Sequence, residues 1–325
     1  MRKVLVVQPI RSEGLRLFDA RPDIAVEVLT DVSQENLLRH IIDAEALTIR
    51  DAPVSTRVLE VARRLKVISR HGVGFDNIPI DYCTARGIPV AIVGNVNAIS
   101  VAEHTMWLIL TCARSGIRLD NAVRSGEFGA RTDITGIELR GRTLLIVGFG
   151  RVGREVAGRA IAFGMRVVAF DPYIDRANFA KWSFVDTLDE GLGVADVLSL
   201  HVPLTGETRA LIGQRELALM PNGAIVINTA RGGILDEAAV VSALRSGRLR
   251  GAGLDTFSDE PVPRDHPLLA EKGVVLSPHS AALTVEALVA MSQATARNAI
   301  AGLDGVLDRA LVVNPAALRD ASYAL

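Results

Sequence analysis

Three short stretches in the second half of the chain carry residue types suited to proton transfer beside a bound anion. They are Asn228-Thr229-Ala230-Arg231-Gly232-Gly233, Asp255-Thr256-Phe257-Ser258-Asp259-Glu260-Pro261 and Leu276-Ser277-Pro278-His279. A histidine titrates near neutral pH and can give a proton to a carbonyl oxygen or take one from a hydroxyl. A carboxylate beside it fixes the ring tautomer and favours the imidazolium. An arginine can pair with a substrate carboxylate and polarise a keto oxygen. Taken singly, Arg231 could be a surface charge, Glu260 a solvated turn residue and His279 a loop histidine bonded to backbone. What joins them is the element that precedes them in the chain.

That element is Thr143-Leu144-Leu145-Ile146-Val147-Gly148-Phe149-Gly150-Arg151-Val152-Gly153. An apolar run of strand length feeds directly into G-x-G-x-x-G. A helical stretch, Glu155 to Phe163, follows, and a second apolar run, Met165 to Phe170, ends on Asp171. In this context Gly148 permits the tight turn, Gly150 lets backbone approach a pyrophosphate, and Gly153 lets the helix pack close to the strand. The helix N-terminus offers N–H groups and a positive dipole end to phosphates. Asp171 stands at about the interval expected of the acid that holds the adenosine ribose. The stretch therefore reads as a dinucleotide site, and a nicotinamide cofactor would supply the hydride that makes the histidine's proton useful.

These residues need strand ends to hold them, and the chain alternates strand-like and helix-like segments along most of its length. Val4–Gln8, Ala25–Leu29, Ala46–Ile49, Val67–Ser69 and Val90–Ala91 read as strands, separated by helices at Ser12–Ala20, Gln34–Ile42, Ser55–Arg63 and Ile80–Arg86. From residue 143 the strand candidates are Thr143–Val147, Arg166–Phe170, Val197–His201, Ala224–Asn228, Gly251–Asp255 and Val274–Leu276. Alternation of this kind predicts parallel, doubly wound sheets, in which ligands bind beyond the carboxyl ends of the strands. The expected fold class is α/β with two Rossmann-like domains, the first discontinuous and flavodoxin-like. Long helical patterns at Ser100–Arg118 and Thr284–Leu303 mark the junctions. The expected division is a substrate-binding domain of residues 1–99 plus 285–325 and a cofactor-binding domain of residues 100–284.

The 325 residues favour two domains over one. With 36 basic and 37 acidic residues the net charge is −1, so the chain has no global attraction to nucleic acid or to an anionic membrane. Cys83 and Cys112 form no C-x-x-C pair and read as reduced thiols, and the six histidines show no metal-ligand spacing. The N-terminal apolar run stops at Gln8-Pro9, too short for a signal peptide, and no stretch reaches the ~18 apolar residues of a membrane span. A cytoplasmic protein without a metal is expected.

With these motifs in place the chain resembles the D-isomer-specific 2-hydroxyacid dehydrogenases over nearly its whole length. The resemblance also rests on His201-Val202-Pro203-Leu204-Thr205 and Asp259-Glu260-Pro261. It implies an NAD-dependent interconversion of a D-2-hydroxy acid and its 2-keto acid. Arg231 would bind the substrate, and Glu260 would pair with His279, the proton donor and acceptor. Gly148, Gly150, Arg151, Val152, Gly153, Asp171, His201, Pro203, Thr229, Ala230, Asp255 and Ala281 would face the cofactor. The loop Ser69-Arg70-His71-Gly72-Val73-Gly74-Phe75-Asp76-Asn77 would grip the substrate, with Gly72, Val73 and Gly74 presenting backbone N–H groups.

Arg50 and Arg70 each follow an apolar strand, and with His71 they could form a distal anion clamp, as in D-3-phosphoglycerate dehydrogenases. Arg50 could instead pair with Asp51 or Asp76. Where relatives of that branch have Ala, this chain has His71, and Ala281 and Ala282 replace a frequent glycine. The chain ends at Leu325, so the regulatory extension of that branch, with its serine feedback, is not expected. Asp171 favours NAD over NADP, although Arg176 could reach the ribose. The alternatives are a hydroxypyruvate/glyoxylate reductase, which differs only at the substrate rim, and an NAD(H)-sensing corepressor of the same fold, which would be expected to carry long disordered tails. Formate dehydrogenase would need Gln where Glu260 stands. The resemblance further implies a homodimer through Asn121 to Gly141.

Overall fold

The computed structural model describes residues 1–318; the end of the expected 285–325 segment lies outside the described residues. Two compact units are present. One comprises Met1–Asn97 together with the described residues from Leu283 on, the other Ala98–Ala282.

The first unit runs β1 (Arg2–Val7), α1 (Ser12–Asp19), β2 (Ile24–Leu29), α2 (Gln34–His40), β3 (Ala46–Ile49), α3 (Thr56–Val61), β4 (Val67–Arg70), α4 (Ile80–Ala85) and β5 (Val90–Ala91). All neighbours pair in parallel, in the order β2-β1-β3-β4-β5, the flavodoxin-like arrangement. The inner strands are buried, residues 4–7 of β1 and all of β3 and β4, and are mostly apolar because both faces are covered. Leu5, Val7, Leu47, Ile49 and Ile68 enter one core layer, and Val4, Val6, Ala46 and Val67 enter the other. The second layer is closed by α11 (Val285–Asp304), which packs on α1, β3 and β4. Gly302 allows the close approach, since a Cβ there would lie 2.5 Å from the Val67 side chain.

The second unit runs α5 (Ala98–Arg114), α6 (Gly116–Arg124), β6 (Thr143–Val147), α7 (Arg151–Ala162), β7 (Arg166–Phe170), β8 (Ser183–Phe184), α8 (Leu188–Val194), β9 (Val197–Leu200), α9 (Gln214–Leu219), β10 (Ala224–Asn228), α10 (Glu237–Arg245), β11 (Leu249–Leu254) and β12 (Val274–Leu276). Its parallel sheet has the order β12-β11-β10-β9-β6-β7-β8, with the switch point between β6 and β9. Leu145, Val147, Leu198 and Val226 point to one core layer, and Leu144, Ile146, Val197 and Ile225 to the other.

Two expectations change. The helix expected over Ser100–Arg118 is two helices, because Ser115 turns into the left-handed region at φ 52°. The sheet has a seventh strand, β8, which the sequence pattern missed. It is two residues long and lies at the sheet edge beside β7, too short to show a periodicity.

Candidate active site

Every strand of the second sheet runs the same way, so the loops after β6, β7, β9, β10, β11 and β12 emerge at one edge. The β6–α7 turn is built as its glycines require. Gly148 adopts φ 93°, and a Cβ on it would lie 2.5 Å from the His201 carbonyl oxygen. A Cβ on Gly153 would lie 2.2 Å from the Gly148 carbonyl oxygen, so no side chain fits there. Gly150 is the opposite case, because its Cβ position meets no protein atom within 4 Å. It is the N-cap of α7 and no side chain caps the helix. Arg151 and Val152 form the first turn. An open glycine at an uncapped helix N-terminus suits a pyrophosphate.

At the end of β7, Asp171 accepts from the Phe149 N–H (2.9 Å) and the Tyr173 N–H (3.0 Å). The carboxylate is thereby tied to the glycine turn and can accept further hydrogen bonds, which suits a ribose diol and repels a phosphate. Arg176, which could have reached that phosphate, is committed to Asp186 (2.7 Å) and the Val185 carbonyl (2.8 Å). After β9, His201 Nε2 lies 2.8 Å from Ser199 Oγ, and burial pushes its pKa down to about 3, so the ring is neutral. Pro203 is exposed and its carbonyl accepts from Thr208 Oγ1 (2.6 Å). These groups fit a dinucleotide.

The β10 loop is organised by Asn228. Its side chain donates to the Arg231 carbonyl (2.8 Å) and accepts from the Ala230 N–H (3.0 Å), an Asx-type turn. Thr229 is buried and its hydroxyl lies 3.0 Å from Thr105 Oγ1 on α5. The Arg231 guanidinium donates to the Ala230 carbonyl (2.7 Å). Gly232 presses this loop onto the next one, since a Cβ there would lie 1.8 Å from the Phe257 carbonyl oxygen.

Glu260 and His279 then meet across two strand ends, with His279 Nδ1 2.8 Å from Glu260 Oε2. The other carboxylate oxygen, Oε1, accepts from the Phe257 N–H (3.0 Å). This hydrogen bond from Nδ1 leaves Nε2 to face a reacting group. The contact with Glu260 raises the His279 pKa above its ordinary 6.5 despite partial burial, and Arg231 lowers it in part. Burial raises the Glu260 pKa, but the bonds from His279 and the Phe257 N–H outweigh it and the net direction is down. Because the Arg231 charge acts on both groups, the three form one electrostatic unit.

Behind the pair lies Asp255, 1% exposed. Its Oδ1 accepts from Ser277 Oγ (2.6 Å) and the Ser280 N–H (2.8 Å), and its Oδ2 from the Ala281 N–H (2.9 Å). Its backbone carbonyl accepts from the His279 N–H (2.8 Å). His279 itself is left-handed, φ 51°, a conformation a β-substituted residue holds only when its surroundings impose it. Asp255 therefore grips the loop on both sides of the histidine. Sequence reasoning placed this residue and Ala281 toward the cofactor; what the structure shows is a clasp between them, in which Oδ2 accepts from the Ala281 N–H. Asn228, Ser277 and His104 were not expected to act here. Asn228 as the polar last residue of an otherwise apolar strand was the one legible signal, as a turn former.

The remaining expected residues belong to the first unit. Arg70 is buried, and its guanidinium turns back onto its own loop. Nε donates to the Gly74 carbonyl (2.7 Å), one terminal nitrogen donates to the His71 carbonyl, and the other lies 3.4 Å from Asp51. Gly72 adopts φ 150°, a conformation that L side chains rarely take, and its Cβ position would lie 2.5 Å from that guanidinium. Val73 and Gly74 complete a partly buried turn. His71 was expected as a possible third donor of the clamp. It is 5% exposed, its Nε2 lies 3.1 Å from Ser292 Oγ on α11, and burial with two nearby arginines lowers its pKa to about 4. It carries no charge at neutral pH. Arg50 lies 3.4 Å from the Pro9 carbonyl and 3.9 Å from Asp51, so the pairing with Asp51 left open by the sequence is present as a long contact.

Among the described residues no His, Cys, Asp and Glu grouping could hold a metal ion, and no helix is long and apolar enough to cross a membrane. Fold and site together define a dinucleotide-binding α/β protein with an Arg–Glu–His constellation at the strand ends.

Comparison with known proteins narrows the class. The profile of the D-isomer specific 2-hydroxyacid dehydrogenase NAD-binding domain matches residues 106–281. The chain is 43% identical over 290 residues to a D-3-phosphoglycerate dehydrogenase of Methanocaldococcus jannaschii, covering 88% of this chain and 55% of that protein. It is 40% identical to a glyoxylate reductase of Thermofilum pendens, covering 95% and 94%. A crystal structure of D-lactate dehydrogenase from Aquifex aeolicus, complexed with NAD and lactic acid, superposes with a TM-score of 0.84 at 30% identity, covering 96% and 99%. The chain belongs to the D-isomer specific 2-hydroxyacid dehydrogenase family and carries its NAD-binding domain. It spans about half the length of two D-3-phosphoglycerate dehydrogenases that it matches, 55% and 54%.

Proposed function

We propose that this protein is an NAD-dependent dehydrogenase that interconverts a D-2-hydroxy acid and its 2-keto acid. The observation that carries the reading is the His279–Glu260 contact at 2.8 Å, beside Arg231 and on the same sheet edge as the glycine turn. When bound, NADH supplies a hydride to the carbonyl carbon. The protein's own residues do the rest. Arg231 holds the substrate carboxylate and draws electron density toward the keto oxygen. The Nε2 of protonated His279 gives that oxygen its proton, and in the reverse direction neutral Nε2 takes it. Glu260 keeps the ring in the tautomer and orientation this requires. Gly148, Gly150, Arg151, Val152 and Gly153 hold the pyrophosphate, Asp171 the adenosine ribose, and His201, Pro203, Thr229, Ala230, Asp255 and Ala281 the nicotinamide side. Gly72, Val73 and Gly74 receive the substrate carboxylate in the first unit.

The leading substrate is a phosphorylated acid of the D-3-phosphoglycerate type, supported by the 43% identity to two such dehydrogenases, with Arg50 and Arg70 toward the distal anion. A second reading, a glyoxylate or hydroxypyruvate reductase, is favoured by one observation. The Arg70 guanidinium is spent on its own loop and His71 is neutral, which leaves Arg50 to carry the distal charge. We further propose a cytoplasmic homodimer, supported by the exposed apolar side chains Val123 and Phe128 within the expected Asn121–Gly141 region.

The test is initial-rate reduction of 3-phosphohydroxypyruvate, hydroxypyruvate, glyoxylate, pyruvate and 3-sulfopyruvate with NADH. Preference for the phosphorylated acid supports the first reading, and preference for the small acids the second. His279→Ala should lower kcat by roughly 10²–10⁴-fold with NADH affinity kept; near-normal kcat would remove His279 as the proton donor.

A further inference from the structure

Outside the residues assigned above, α5 carries a polar side chain aimed at the site from behind. His104 Nε2 lies 2.7 Å from Ser277 Oγ and 3.6 Å from Asp255 Oδ1. The hydroxyl of Ser277 has one proton, and the Asp255 carboxylate, an acceptor only, takes it at 2.6 Å. The lone pair left on Ser277 must then receive a hydrogen from His104. The direction of both bonds is thus determined: Nε2–H of His104 to Ser277, and the hydroxyl of Ser277 to Asp255. Burial holds the His104 pKa below the ordinary 6.5, which keeps the ring neutral with its one Nε2 proton near neutral pH. The ring is kept in place by Trp107 one turn on, with ring centroids 4.9 Å apart.

We propose that His104 is a positioning residue for the reaction, acting through Ser277 and Asp255 to hold the left-handed loop that presents His279. Asp255 grips that loop by the N–H groups of His279, Ser280 and Ala281. Each bond of the chain His104–Ser277–Asp255 polarises the next. Removing the first donor leaves Ser277 Oγ with a lone pair no neighbour satisfies and frees the hydroxyl to rotate away from Asp255. The loop then samples conformations other than the strained one, and His279 spends less time facing the substrate. Neither Ser277 nor His104 needs to touch the reacting atoms for this.

This inference rests on the dehydrogenase reading, and a double-mutant cycle with two readouts separates them. His104→Leu should lower kcat about tenfold, the loss of one hydrogen bond in a charged network, and should speed amide hydrogen exchange in the segment spanning residues 277–282. In a Ser277→Ala background the same change should do nothing further to either readout. His104→Gln places an N–H where Nε2 was and should retain most of the rate, whereas His104→Asn places it one atom short and should not. Multiplying effects of His104→Leu and Ser277→Ala would overturn the proposal, as would equal rates for the Gln and Asn variants, which decide the matter even where the Leu variant does not fold. Absence of turnover of every keto acid by the unaltered protein would sink the dehydrogenase reading alone, because the exchange measurement still tests whether His104 holds the loop.

Discussion

Replacing Asp255 by asparagine tests whether one buried carboxylate organises the site. The change preserves shape and removes one acceptor oxygen. Asp255 receives two donors on Oδ1 and one on Oδ2. An amide whose oxygen takes the Oδ1 place keeps Ser277 and Ser280 but turns its NH2 on the Ala281 N–H; the reverse orientation loses two partners. The better orientation forfeits one charge-assisted bond, about 1.5–3 kcal/mol, and strands a buried N–H at about 1–3 kcal/mol. Ala281 is 5% exposed and Asp255 1%, so water does not relieve the loss. The expected cost is therefore roughly 3–5 kcal/mol. For a unit of 150–250 residues, which Ala98–Ala282 is, each kcal/mol lowers Tm by about 2–4 °C, so a drop of roughly 6–20 °C is expected. Thermal unfolding followed by circular dichroism measures it, and kcat at a temperature well below the new Tm should fall by at least tenfold as the His279 loop loosens. A variant with unchanged Tm would refute the accounting of donors. Unchanged kcat at a lowered Tm would refute the link from Asp255 to His279.

Glu260→Gln should shift the pH dependence. The Glu260 carboxylate raises the His279 pKa, so keto-acid reduction, which needs the imidazolium, should hold on the acid side of 6.5 and fall as pH rises through the raised value. In the Gln variant that falling limb, and the rising limb of hydroxy-acid oxidation, should move to lower pH in initial-rate profiles; limbs that stay in place would show that the limb belongs to another group. The same contact stabilises the fold in the same sense, fully below 6.5 and less as pH rises through the folded value, so the difference in Tm between the two proteins should shrink above neutrality. Gly153→Ala and Gly150→Ala should part company. The first puts a Cβ 2.2 Å from a backbone oxygen and should cost roughly 1–3 kcal/mol of stability. The second meets no protein atom and should keep its Tm while NADH binding, measured by fluorescence titration, weakens; equal effects on Tm would contradict the geometry of the turn.

Much of this molecule is legible as linear pattern. Parallel strands covered on both faces must be apolar at nearly every position, so β3, β5, β6, β7, β10 and β12 are found where the runs stand. Glycines forced by a close backbone contact, as at Gly148 and Gly153, announce the turn they build, and Glu260, His279 and Arg231 declare a chemistry by type. Bonds between distant elements are another matter, because partners such as His104 on α5 and Ser277 and Asp255 after their strands lie far apart in sequence and carry no spacing rule. The direction a long side chain takes is equally silent. Arg70 offered charge and His71 a donor to a distal anion as residue types, but a guanidinium surrounded by its own loop's carbonyls turns back to satisfy them, and an imidazole buried against α11 is neutral and has one ring nitrogen beside Ser292. Local geometry follows from neighbours in the chain, whereas charge, tautomer and strain at the site follow from which groups the fold brings within hydrogen-bond distance and which it shields from water.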